Sequence, residues 1–234
     1  MIIGVIGELL LTAGVLVLLF LGWKLWYNDI VVGEQQGEAA RQLAEEWQEP
    51  EEVAPTDGDY GEPVIGDEEL VEGEGFALLY VPRFGDDWVR TIGESTALST
   101  VLNSAELGVG HYEETQRPGE VGNFGLAAHR QTHGGAFNQI DELQVGDEII
   151  VRTRDGVYVY EYRTTEYVTP DGVDVLNPVP QAPETEPGDR YITLTSCNPL
   201  FSTAERIVAY GVLTDWYPAG AEDVPDDVAQ ILEA

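Results

Sequence analysis

From Phe76 to Trp216 the chain is written in short β-branched and aromatic runs: FALLYVPRF, WVRTI, NFGLAAH, DEIIVRTR, VYVYEYRTTEYV, RYITLTSC and RIVAYGVLTDW. Gly, Asp and Pro separate many of them, and Asp155-Gly156 has the residues of a tight hairpin turn. Val, Ile, Thr and the aromatics suit a pleated, half-buried surface, so each run is expected to be a strand. Many closely spaced strands with few helices predict a mainly β domain, a barrel or a sandwich. Two helical pieces are expected inside it: Glu94 to Leu107 as one helix and Phe137 to Leu143 as a short turn.

The N-terminal stretch obeys a different rule. Leu9 to Trp26 reads LLLTAGVLVLLFLGWKLW, and with Met1 to Gly7 it forms an apolar run interrupted only by Glu8 and Lys24. About 20 such residues make a helix long enough to cross a bilayer. Trp23, Trp26 and Tyr27 at its far end resemble an interfacial aromatic belt. No small-x-small cleavage site follows, so residues 1–27 are expected to form an uncleaved transmembrane anchor. No Lys or Arg precedes the span, so charge does not set its orientation. The downstream part is placed outside the cell membrane from its chemistry instead.

Residues 28–74 are rich in Glu, Gln, Pro and Gly. A short surface helix is expected over Gln35 to Glu52. The following EEVAPTDGDYGEPVIGDEELVEGEG offers too few apolar side chains to offset its ordering entropy, which predicts a flexible acidic linker. The β domain is expected over 75–217, and an acidic tail over 218–234 with a weak helix near its end.

Acidic residues number 43 against 11 Lys and Arg, a net charge of -32, which excludes a nucleic-acid partner by simple repulsion. Three histidines and one cysteine lack the dense spacing of a structural zinc site. No EF-hand loop, paired-carboxylate pattern or glycine-rich phosphate loop occurs, so no metal or cofactor is expected.

The remaining candidates are Cys197, the histidines and the arginines. Cys197 is the only cysteine and closes an apolar, β-branched run, as core filler or as a nucleophile at a strand tip. His129 closes NFGLAAH, and Arg206 opens RIVAYGVL nine residues after the cysteine. Taken singly, each has an ordinary structural explanation.

Together they resemble the sortase family. Its Thr-Leu-x-Thr-Cys strand end corresponds to Thr193-Leu194-Thr195-Ser196-Cys197, and its Gly-Asn run ending in His corresponds to Gly122-Asn123 through His129. Pro118-Gly119-Glu120 adds to the likeness, which covers roughly residues 75–217. GVGHYEETQRPGE, AAHRQTHGGAFNQIDEL and TLTSCNPLFSTAER look most like the class E sortases of actinobacteria. Ser196 stands where threonine is usual, and His133 where similar sequences tend to have tyrosine.

The resemblance implies a closed β-barrel of about eight strands and a cysteine transpeptidase without cofactor or metal. Cys197 would be the nucleophile, His129 the acid–base group and Arg206 the oxyanion donor, with Thr195 and Ser196 as candidate substrate contacts. Arg130 is a rival cation, but strand alternation turns it away from the side that His129 faces. The implied partners are surface proteins bearing a Leu-(Pro or Ala)-x-Thr-Gly sorting signal, a cell-wall precursor amine and, through the N-terminal helix, the plasma membrane. His111 is expected to be a positioning or structural residue. Three other readings stay open: a different extracytoplasmic cysteine peptidase or transpeptidase, a pilin-polymerising sortase, and an anchored β-domain without catalysis.

Overall fold

A computed structural model describes residues 2–23, 27–47 and 60–233. Lys24, Trp26 and the part of the expected linker from 48 to 59 lie outside the described residues. The first element, α1 (Ile2–Gly22), contains a 20-residue span of mean hydropathy 2.4 with none of it buried, long and apolar enough to cross a membrane.

Eight strands close a barrel: β1 (Gly75–Tyr80), β2 (Val89–Glu94), β3 (Gly108–His111), β4 (Gly122–Ala128), β5 (Glu148–Arg152), β6 (Gly156–Val168), β7 (Arg190–Asn198) and β8 (Glu205–Pro218). Their order around the wall is β1-β2-β3-β4-β7-β8-β6-β5. The β2/β3 and β4/β7 neighbours are parallel and the rest antiparallel. The Asp155-Gly156 hairpin forms as expected, with Arg152 opposite Val157 and the Thr153 amide donating to the Gly156 carbonyl. Closure leaves no sheet edge open to pairing with another chain.

The expected helix from Glu94 to Leu107 is not there. Glu94 ends β2, only Leu98–Leu102 turn helically, and Leu107 leads into β3, the strand that the sequence pattern missed. Gly108 explains the break, since its φ of +85° lies in the left-handed region where glycine is at ease. The other expected turn is present in shorter form as a 3-10 turn at Ile140–Glu142.

Leu79, Ile92, Phe124, Leu126, Ile149, Tyr160, Ile192, Leu194 and Ile207 are among the residues filling the barrel interior. A second apolar layer lies outside, where Leu78, Tyr80, Val89, Ile150, Val157 and Val159 are covered by two helices. One is α2 (Asn28–Glu46), contributing Ala40 and Ala44; the other is α3 (Asp226–Glu233), contributing Val228. This double burial accounts for β1 reading as an unbroken apolar run rather than an alternating one.

The region expected to be a linker is therefore largely laid against the barrel. α2 starts earlier than the expected helix and buries Gly33, Gln36, Gly37, Ala40 and Ala44, a stripe of mostly small residues that allows close approach to the sheet. Further on, Trp216 donates its indole N–H to the Gly61 carbonyl, Tyr158 reaches the Val64 carbonyl, and Glu72 bridges to Glu94. Backbone and aromatic anchors hold the described part of this acidic stretch, residues 60–74, against the barrel.

Candidate active site

The geometry of the site follows from strand register. β4, β7 and β8 are consecutive in the wall. β7 runs parallel to β4 with Ala127 beside Thr195, so His129, the residue that follows β4, and Cys197 lie at the same end of this strand pair. On the other flank β8 is antiparallel, and Cys197 is the Cα partner of Arg206.

Alternation then fixes which way each residue faces. Ile192 and Leu194 on β7, Phe124, Leu126 and Ala128 on β4, and Ile207 and Ala209 on β8 belong to the interior. Cys197, His129 and Arg206 have the opposite parity, so all three are presented on the outer face, at one end of the three strands. Each is partly exposed. That exposure disposes of the filler reading of Cys197, whose free thiol stands between an imidazole-bearing and a guanidinium-bearing strand.

His129 is held on two sides. Its Nε2–H donates to Asn103 Oδ1 at 2.8 Å, and its ring stacks on His133 with centroids 5.1 Å apart. Burial pushes its pKa below the usual 6.5; the neighbouring His133 adds to this and Asp29 opposes it. Arg206 donates to the Thr203 and Glu205 carbonyls and has no carboxylate in ion-pair contact among the described residues. Its remaining N–H groups are available to a developing anion.

The rival cation is engaged elsewhere. Arg130 is 4% exposed, forms an ion pair with Asp141 at 2.7 Å and donates to Asn198 Oδ1. Thr195 and Ser196, expected at the substrate, are instead buried with their hydroxyls in use. Thr195 donates to the Leu126 carbonyl and meets the Tyr112 hydroxyl, while Ser196 donates to the Ala128 carbonyl. These bonds join β7 to β4 and to the loop after β3.

His111 behaves as a structural post. It is 2% exposed, with Nδ1 at 2.7 Å from Glu94 Oε2 and Nε2 at 3.1 Å from the Gln116 carbonyl. The Phe76 and Phe124 rings flank it. Asn103 and Tyr112 escaped the sequence reading. Asn103 fell inside the expected helix, and neither residue carries a periodic or motif signal.

Residues 79–214 match the family model described as Sortase domain. The chain is 38% identical to Sortase SrtE1 of Streptomyces coelicolor over 219 residues, covering 91% of this chain and 57% of that protein. It thus spans little more than half the length of that relative. It is 31% identical to Sortase SrtE2 of the same organism, over 90% of this chain and 81% of that one. Among solved structures, Sortase E1 from Streptomyces coelicolor with a tripeptide in the active site is 39% identical with a TM-score of 0.60, over 68% of this chain and 99% of that chain. The SrtA sortase from Actinomyces oris is 39% identical with a TM-score of 0.62, over 68% of this chain and 90% of that chain.

Proposed function

The chain belongs to the sortase family of transpeptidases, and on that premise we propose that it is a membrane-anchored cysteine transpeptidase joining surface proteins to a cell-wall amine. What supports this reading is that Cys197 pairs with Arg206 across β7 and β8, while His129 follows the end of β4, the other neighbour of β7.

In the first half-reaction the Cys197 thiol passes its proton to His129, and the thiolate adds to the threonine carbonyl of a Leu-(Pro or Ala)-x-Thr-Gly signal. The carbonyl oxygen becomes anionic, and the Arg206 guanidinium donates to it. The imidazolium of His129 then gives its proton to the departing glycine amine as the Thr–Gly bond breaks. What remains is a thioester between Cys197 and the substrate threonine. In the second half an acceptor amine attacks the thioester, loses a proton to His129 and expels the thiolate, forming a new amide.

The likeness to class E sortases favours alanine at the second signal position. α1 would hold the catalytic domain at the outer face of the plasma membrane, with the domain extracytoplasmic. No step needs a metal or cofactor.

A Leu-Ala-x-Thr-Gly peptide incubated with the full chain and an amine separates transpeptidation from proteolysis. The expected result is ligated product increasing with amine concentration at the expense of hydrolysed peptide. Hydrolysis alone, at saturating amine, would assign the site to a peptidase.

A further inference from the structure

The helix that directly follows the apolar span reaches into the surroundings of the candidate acid–base histidine. Gln36 of α2 is completely buried. Its Nε2 donates to the Ser104 carbonyl at 2.8 Å and to the His133 carbonyl at 3.0 Å, residues 68 and 97 positions away. Both partners are acceptors, so the amide nitrogen must face them and the orientation of the group is fixed.

Those two carbonyls lie in the two loops that hold His129. Ser104 follows Asn103, whose side chain accepts from His129 Nε2, and His133 stacks on the His129 ring. The second loop does not adopt its shape freely. Thr132, His133, Gly134 and Gly135 all have positive φ, at +67°, +50°, +88° and +50°, and for the two non-glycine residues this conformation is costly. A surrounding structure must over-determine such a loop, and α2 supplies it. Asp29 Oδ2 accepts from the Thr132 amide at 2.7 Å, and Gln36 binds the next residue's carbonyl.

The fit leaves no room for alternatives. A Cβ on Gly108 would stand 2.4 Å from Gln36 Nε2, and one on Gly134 would stand 2.5 Å from Gln36 Oε1. A Cβ on Gly33 of α2 would come to 3.4 Å from the Gly134 carbonyl oxygen. Helix, amide and both loops therefore pack as one unit.

We propose that Gln36 is a positioning residue for transpeptidation, its amide clasping the Asn103 and His133 loops so that His129 is held in line with Cys197. The juxtamembrane helix is then a working part of the site and not a spacer. This rests on His129 being the acid–base group of the proposed function.

The test uses the full chain in detergent micelles and Gln36→Met, which keeps the length and volume of the side chain but loses both donated bonds. Gln36→Leu serves as a second apolar variant should the first fold poorly. Ala44→Gly, on the same helix and away from both loops, is the control for plain loss of stability. In Gln36→Met the loops loosen, so the NMR titration midpoint of His129 rises towards the ordinary 6.5, and kcat falls by up to about 100-fold with a smaller change in KM. Ala44→Gly lowers Tm only. A Gln36→Met enzyme that merely melts earlier, like the control, with the His129 midpoint and kcat unchanged, overturns the proposal while leaving the role of His129 intact. Full activity in His129→Ala removes the underlying reading, and the proposal with it.

Discussion

The Ser196 hydroxyl donates to the Ala128 carbonyl across 2.8 Å, tying the residue before Cys197 to the residue before His129. This bond sits on the interior side of the wall, behind the proposed reacting pair. What this position uses is the serine hydroxyl. Ser196→Ala strands a buried carbonyl and loosens the β4/β7 register. The expected loss is about 1–3 kcal/mol of stability by denaturant unfolding, with a fall in kcat. Ser196→Thr keeps the bond and is expected to stay active. Equal stability and activity in the alanine variant would show that register is set by the ladder alone.

Arg206 faces Cys197 across β7 and β8 and has donors to spare. Arg206→Ala is expected to lower kcat on the order of 100- to 1000-fold, with little change in KM, because the oxyanion exists only beyond the ground state. Arg206→Lys restores charge but not the planar fork of donors, so it recovers only part of the rate. A kcat untouched by either substitution would move the oxyanion donor elsewhere.

The stacked pair His129 and His133 gives a sign that NMR reads directly. His129 is held below 6.5 first by burial and then by repulsion from its neighbour His133. His133→Ala removes that repulsion and uncovers part of the ring, and both changes favour the protonated form. The His129 midpoint is expected to move up towards 6.5. A midpoint that stays put or falls contradicts the electrostatic account of this neighbour.

Leu78 tests whether the acidic region is docked. It lies on the outer side of β1, fully buried in the layer beneath α2 and α3. Were the helices free of the barrel, Leu78 would be exposed and its truncation harmless. Packed as they are, Leu78→Ala is expected to cost about 2–5 kcal/mol of unfolding free energy. A cost within experimental error would mean that the helices detach in solution.

The strands were legible because β-branched runs divided by turn residues leave few other folds, and Asp155-Gly156 marked its hairpin by chemistry alone. That Cys197, His129 and Arg206 fall at strand ends was legible, because each closes or opens a β-branched or aromatic run. β3 was not, because Gly-Val-Gly-His has too little β character to stand out and is a strand only through its partners, β2 on one side and β4 on the other. The docking of α2 was equally hidden. A stripe of Gly33, Gly37, Ala40 and Ala44 has weak apolar contrast, and its value lies in how closely it lets the helix approach. Gln36 and Asn103 carry no local signal at all, since their partners are 68 and 26 residues away.

The central claim is that Cys197 carries the substrate as a thioester, and intact-mass analysis of the full chain tests it most directly. After brief exposure to a Leu-Ala-x-Thr-Gly peptide without amine, the expected result is an added mass equal to the peptide up to its threonine. That mass should map to the peptide containing Cys197, be discharged by hydroxylamine and be absent in Cys197→Ala. Ligated product formed at the wild-type rate by Cys197→Ala, or an adduct on any other residue, would contradict the account.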